Sequence, residues 1–210
     1  MDAAAWDERY AASGLVWGAS PNRFLPPEVS ELQPGRALDL ACGEGRNAVW
    51  LASVGWDVTA VDFSRVALEK GRRLATEAGV QVDFVVGDVT GHVPAADAYD
   101  LVVIFYLQLV RSERLAVLER AVRALAPGGT LLVVAHDRAN LERGHGGPQD
   151  PAVLPTAPML VSELREVPAG ASLEVVRASE RERPVETDAG PAVAIDCLVR
   201  VRRPMAGPSE

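Results

Sequence analysis

Hydrophobic positions along the chain fall into two alternating rhythms. Short apolar runs at residues 37–41, 57–61, 82–86, 101–105 and 130–135 have the length and composition of strands. Between them, residues 45–54, 65–78 and 113–125 space their apolar side chains three and four apart, which predicts helices. Strands that alternate with helices imply βαβ units and a parallel sheet. The first runs are nearly continuous in apolar residues, as parallel strands covered on both faces require. Runs at 173–178 and 193–201 follow each other with only a polar stretch between, so the sheet is expected to close in an antiparallel hairpin.

The remaining segments lie around this core. Residues 2–12 predict a short helix with Trp6 and Tyr10 on one side, and a glycine- and proline-broken stretch at 14–27 carries Trp17 and Phe24. Residues 138–158 predict a long surface connection, with a short helix at 161–167 after it. No internal repeat or linker interrupts the chain. One α/β domain over residues 1–210 is expected, with 1–30 as an N-terminal helix and lid segment.

Composition narrows the function classes. The chain has 210 residues, enough for one α/β core, and its 48% hydrophobic and 24% charged content is that of a soluble globular protein. Acids outnumber bases 29 to 21, a formal charge of -8, which argues against nucleic acid as a partner. Arg177, Arg181, Arg183, Arg200, Arg202 and Arg203 gather near the C-terminus at alternating strand positions, which reads as a solvated face. Lys70 is the only lysine and no GxxxxGK[ST] occurs, so P-loop chemistry is excluded and pyridoxal phosphate would need Lys70 itself. Cys42 and Cys197 lack metal or disulfide spacing, which predicts no metal site and a reducing, cytoplasmic compartment. The N-terminus carries acids where a signal peptide needs bases, and the run at 101–107 is too short to span a bilayer, so no membrane is expected.

The chemistry concentrates at Leu38-Asp39-Leu40-Ala41-Cys42-Gly43-Glu44-Gly45-Arg46-Asn47, a strand running through a glycine turn into a helix. Glycines admit a ligand close to the backbone, and the helix N-terminus offers free amides. Gly43 to Ala48 also satisfies the G-x-G-x-x-A dinucleotide pattern, with Asp62 about 20 residues on to hold a ribose. Charge separates the two readings. Asp39 and Glu44 would stand beside a pyrophosphate unfavourably in a low-dielectric pocket, whereas a cationic ligand suits them. Gly87-Asp88-Val89 then follows the third strand, where a carboxylate can accept from an exocyclic amine, and Pro127-Gly128-Gly129 turns into the fifth.

Taken in order over nearly the whole chain, these motifs resemble the class I S-adenosylmethionine-dependent methyltransferases. The resemblance implies a Rossmann-like three-layer sandwich with seven strands in the order 3-2-1-4-5-7-6. It also implies that Asp39, Gly43 and Gly45 face the methionine portion of the cofactor, Asp62 the ribose and Phe63 the adenine face. Asp88 and Val89 would meet the adenine edge, and Phe105 would offer its backbone near the amino-acid end. Ala41 departs from the pattern, standing where the family has its first glycine. Trp6 to Tyr10, Trp17-Gly18 and Pro21-Asn22 are similar to the small bacterial branch that includes tellurite-resistance enzymes, but Glu186-Thr187-Asp188 stands where members can carry His and Arg.

The acceptor side carries no diagnostic motif. His136 follows the fifth strand and Tyr106 the fourth, at the carboxyl edge where acceptors sit, and either is a candidate base. Asp100, at the start of a strand, is expected to be structural. The expected function is methyl transfer to a small molecule, leaving S-adenosylhomocysteine. A nicotinamide-dependent oxidoreductase on the same sheet and a non-catalytic S-adenosylmethionine-binding protein are the alternatives. The sequence carries no signal for oligomeric state.

Overall fold

A computed structural model describes residues 3–12, 14–170 and 172–205, and among them lie seven strands and seven α-helices, of which those at 25–29 and 140–143 fall where the pattern places none. In chain order they are α1 (Ala3–Ala11), α2 (Leu25–Val29), β1 (Arg36–Leu40), α3 (Arg46–Ser53), β2 (Asp57–Asp62), α4 (Arg65–Glu77) and β3 (Asp83–Val86). After these come β4 (Tyr99–Phe105), α5 (Arg111–Ala124), β5 (Leu125–His136), α6 (Asn140–Arg143), α7 (Ala157–Glu166), β6 (Glu174–Thr187) and β7 (Gly190–Arg202). Of the first expected helix, Asp2 lies outside the described residues.

The sheet order is β3-β2-β1-β4-β5-β7-β6, with β1 to β5 parallel and β7 antiparallel to both neighbours. Alternate residues of the central strands feed opposite layers. Val102, Ile104, Leu131 and Val133 pack with Leu118, Val122, Leu160 and Leu164 beneath α5 and α7. Leu101, Val103, Leu132 and Val134 pack with Leu51 and Leu68 beneath α3 and α4. Period-two alternation thus gives a core on each face, the three-layer sandwich that the motifs imply. Among the described residues, no helix is long and apolar enough to cross a membrane.

Several boundaries differ from the pattern, and α7 starts at Ala157, inside the expected surface connection and ahead of the helix expected from 161. The hairpin is much longer than its apolar runs: β6 extends through Arg-Ala-Ser-Glu-Arg-Glu-Arg to Thr187, because an edge strand alternates charge with half-buried positions and reads as polar. The strand β5 begins at Leu125, ahead of the Pro-Gly-Gly turn, with a register shift between Tyr99 and Leu101 on β4. Finally, α2 starts inside the broken N-terminal stretch, where Pro26 and Pro27 sit in the first turn that tolerates them.

The C-terminal arginines are only partly a solvated row: Arg177 and Arg202 are exposed, whereas Arg181, Arg183, Arg200 and Arg203 are half-buried. Arg177 and Arg200 both pair with the buried Glu28, at 3.2 Å each, and Arg200 also donates to the Glu28 carbonyl, which fastens α2 to the hairpin. Arg183 turns inward to Asp196. Asp100 is structural, as expected: its Oδ2 accepts from the Arg36 amide at 2.8 Å below the start of β1. A second buried pair, Arg114 with Glu163 through two bonds of 2.7 Å, ties α5 to α7.

Candidate active site

At the carboxyl end of β1 the chain must leave the sheet and re-enter as α3 within a few residues. Ala41, Gly43 and Gly45 all take left-handed backbone conformations, with φ of 60, 55 and 74 degrees. Glycine adopts such angles freely. At Ala41 the methyl group makes the same turn at a cost of roughly 1–2 kcal/mol, so the loop keeps its shape despite the substitution. The Gly43 amide donates to Asp62 Oδ2 at 2.8 Å, and a Cβ on Gly45 would lie 2.7 Å from the Phe84 ring. The cradle therefore has no room for larger residues.

Asp39, the residue before the last of β1, lies beneath this cradle and is 1% exposed. Its Oδ2 is buried without a hydrogen-bond partner. Burial, and next the charge of Asp62, push its carboxyl up to about 8, while Arg46 and the Ala48 amide oppose the shift. A positive charge brought close to it would favour its ionised form. Asp62, at the end of β2, spends one lone pair of each oxygen on the amides of Gly43 and Ser64, at 2.8 and 2.9 Å, and retains others. Helix α4 is capped by Ser64, not Asp62: the Ser64 hydroxyl accepts from the Ala67 amide at 3.0 Å.

The remaining cofactor candidates line the same edge. Phe63 is half-buried next to Asp62, Val89 is buried and Asp88 is exposed. Asp88 Oδ1 accepts from the Thr90 amide and hydroxyl, which fixes the turn. Phe105 ends β4 nearly buried, opposite Val134 on β5.

Glu44 does not face this pocket as an attracting charge. It is 2% exposed, and its Oε2 accepts from the amides of Val16 at 2.8 Å and Trp17 at 3.3 Å while Oε1 pairs with Lys70 at 3.2 Å. Lys70 also donates to the carbonyls of Tyr10 and Gly14. Asp7 completes the fastening by accepting from the Ser64 hydroxyl and the Val66 amide. The N-terminal segment is thus strapped across the top of the glycine loop. Tyr10 is buried within it, and a Cβ on Gly43 would meet its hydroxyl at 2.8 Å. Sequence reasoning missed Lys70, whose signal was available: a lone lysine spaced to reach the loop's acid.

A second cluster forms where β4, β5 and the hairpin end together. The β5–β7 register sets His136 opposite Asp196, with Nδ1 at 3.1 Å from Asp196 Oδ1, although the ring N–H is poorly aimed for a hydrogen bond. Asp196 is 0% exposed and also takes Arg183 Nε at 2.7 Å and the Tyr106 hydroxyl at 2.9 Å. Burial alone would raise the Asp196 carboxyl, but His136 and Arg183 outweigh it and hold it below the usual range. Tyr106 follows β4 with φ of 56 degrees, a strained conformation for a tyrosine. Burial, then the Asp196 charge, push its phenol far up, which keeps the hydroxyl protonated as the donor to Asp196.

His136 is boxed by these neighbours. The Tyr106 ring lies 4.8 Å away, tilted by 49 degrees, and a Cβ on Gly147 would touch the His136 ring at 3.0 Å. The loop after β5 therefore closes against it. Asn22 links the N-terminal segment to the cluster, donating from Nδ2 to the Tyr106 hydroxyl at 3.4 Å and from its amide to Asn47 at 2.8 Å. Asp196, Arg183 and Asn22 escaped the sequence reading because a strand register and a fold-back bring them together.

The glycine loop, the acids near the ends of β1 and β2 and this strand order are those of the class I methyltransferase fold. Residues 37–129 match the family described as Methyltransferase domain. The chain is 38% identical over 120 residues to a demethylmenaquinone methyltransferase of Clavibacter sepedonicus, covering 56% of this chain and 46% of that one. It is 32% identical over 155 residues to the ribosomal RNA small subunit methyltransferase C of Chromohalobacter salexigens, covering 63% and 45%. The chain thus spans about half the length of the curated relatives it matches. A structure solved in work on the conversion of a disulfide bond into a thioacetal group during echinomycin biosynthesis superposes with a TM-score of 0.77 at 21% identity. That superposition covers 98% of this chain and 93% of the other, and shows a shared fold.

Proposed function

We propose that this chain moves a methyl group from S-adenosylmethionine to a small-molecule acceptor, with His136 removing the acceptor's proton. The carrying observation is the pair of clusters at one sheet edge: an unpartnered buried acid under a glycine cradle, and a boxed His136 beside Asp196.

The cofactor fits the residues present. Its ammonium group suits Asp39 Oδ2, a buried carboxylate oxygen without a partner, and the left-handed turn at Gly43 and Gly45 leaves backbone exposed for close approach. Asp62 would hold the ribose, Phe63 the adenine face, Asp88 and Val89 the adenine edge, and Phe105 the amino-acid end through its backbone. When bound, S-adenosylmethionine supplies a methyl group on a positively charged sulfur that departs as a neutral thioether.

The protein's own work is then orientation, exclusion of water and movement of one proton. Asp196 sets the His136 ring and balances its charge when it gains a proton, which leaves Nε2 for the acceptor. Tyr106, kept protonated, positions Asp196. Residues 1–30 act as the lid of one domain over residues 1–210, closing the pocket from water with Tyr10 and Trp17.

The relatives act on a quinone precursor and on ribosomal RNA, so their names do not choose an acceptor. A small molecule is favoured by the formal charge of -8 and by a cluster walled by Gly147 and the strap. A cytoplasmic setting is favoured by two free cysteines. The test is incubation with radiolabelled S-adenosylmethionine and, separately, a small-metabolite extract or total RNA. Label is expected in the small-molecule fraction, and His136→Ala should lower turnover by about 10²–10⁴ while cofactor binding persists. Label found only in RNA would contradict the acceptor class, and an unaffected His136→Ala would remove the base.

A further inference from the structure

Asp196 meets one edge of the His136 ring, but that contact does not fix the ring by itself. Nδ1 lies 3.1 Å from Asp196 Oδ1, yet it is buried without a hydrogen bond, so the ring can tilt about this contact unless something bears on its face. Gly147 does so. A Cβ there would meet Cγ at 3.0 Å and Cδ2 and Nδ1 at 3.1 Å, which places the loop backbone over the inner end of the ring. The Tyr106 ring, 4.8 Å away, adds a second wall.

The loop that carries Gly147 is held in turn by one side chain. Asn140, 3% exposed at the start of α6, donates from Nδ2 to the Gly146 carbonyl at 2.6 Å and to the His145 carbonyl at 3.5 Å. Its Oδ1 accepts at 2.7 Å from the amide of Ile195, the residue before Asp196 on β7. The Asn140 amide donates at 2.9 Å to the carbonyl of Asp137, the residue after His136. One residue thus joins the end of β5, the glycine loop and the strand that delivers Asp196. A carboxamide suits the place because it accepts at one end and donates at the other, which neither a carboxylate nor an apolar side chain can do. Gly144 leaves room for it, since a Cβ at that position would clash with the Asn140 carboxamide oxygen.

Building on the proposed function, which makes His136 the base, we propose that Asn140 is a positioning residue for His136, acting through the backbone of Gly146 and Gly147. It holds the ring face from the loop side and the neighbour of Asp196 from the β7 side. Removing the carboxamide releases the loop, the ring tilts away from its working orientation, and proton transfer slows, although Asn140 takes no part in the transfer itself.

Long-range proton–nitrogen NMR spectra of the three histidines, His92, His136 and His145, read the ring directly, with His136 assigned by its loss in His136→Ala. Asn140→Ala is expected to shift or broaden the His136 ring resonances and to leave those of His92 in place. Gly147→Ala, which sets a methyl group against the ring, should move the same His136 resonances and carries the test if Asn140→Ala folds poorly. A residue that only stabilises the fold would lower the melting temperature and leave the His136 spectrum of the folded protein unaltered. Methyl transfer from S-adenosylmethionine into the small-metabolite extract should fall about tenfold in Asn140→Ala. S-adenosylhomocysteine affinity should change by less than about threefold, and Asn140→Ala should cause no further loss of transfer in a His136→Ala background. His136 resonances unmoved in both variants, or a loss of transfer that adds in full to that of His136→Ala, overturn this inference alone. Full activity of His136→Ala overturns the base reading, and this inference with it.

Discussion

Single residues carry opposite burdens in the glycine loop. Asp39 is kept by the fold in a state that costs stability, because the unfolded chain loses this proton near 3.8 and the folded chain only near 8. Between those values the folded state binds more protons, so stability contributed by this group falls as pH rises, with the full penalty present above about 8. Asp39→Asn should therefore raise the melting temperature of ligand-free protein at pH 8, by about 2–4 °C per kcal/mol relieved, with little change at pH 4. Thermal melts across pH check this, and a loss of stability at pH 8 would mean the carboxylate has a counter-charge. Ala41→Gly is expected to leave stability unchanged or raise it by up to about 1 kcal/mol, since relief of the left-handed alanine offsets the added backbone freedom. Denaturant unfolding measures that difference, and a loss near 1 kcal/mol would show that Ala41 is unstrained. Asp39, Gly43 and Gly45 were legible because a single local motif fixes their geometry, and Asp62 because it ends the next strand about 20 residues on. Arg183 and Asp196 were not, since nothing near them in sequence says that β6 turns a charged side chain inward.

Elements show where periodicity informs and where it misleads. Strands covered on both faces announce themselves as apolar runs, and β1, β2 and β4 fall within two residues of the pattern at each end. The edge strand β6 hides because its outer positions answer to solvent, so alternating Arg and Glu look like a turn. The strap was visible as aromatics in a broken segment, but its attachment depends on Lys70, Glu44 and Asp7 meeting in space. Lys70→Met should speed hydrogen exchange in residues 3–12 and weaken S-adenosylhomocysteine binding several-fold, whereas unchanged exchange there would show that other contacts hold the strap. At the far side of the sheet, Glu163→Ala leaves Arg114 buried and unpaired, at a cost of about 3–5 kcal/mol. Denaturant unfolding should register that loss while cofactor affinity of the folded protein stays the same, which separates scaffold from site.

For the whole molecule, the arrangement works because one sheet edge gathers all the strand ends that matter. Parallel strands β1, β2 and β4 deliver Asp39, Asp62 and Phe105 to the same side, and the antiparallel β7 delivers Asp196 to it from the other direction. The central claim is that the glycine loop over Asp39 holds S-adenosylmethionine. The most direct measurement is calorimetric titration with S-adenosylhomocysteine near pH 6.5, in two buffers of different ionisation enthalpy, for the unaltered protein and Asp39→Asn. One site per chain is expected, with release of up to about one proton as Asp39 ionises against the ligand's ammonium, and affinity at least about tenfold weaker without the carboxylate. Equal affinity in the variant, or binding of NAD in place of S-adenosylhomocysteine, would contradict it.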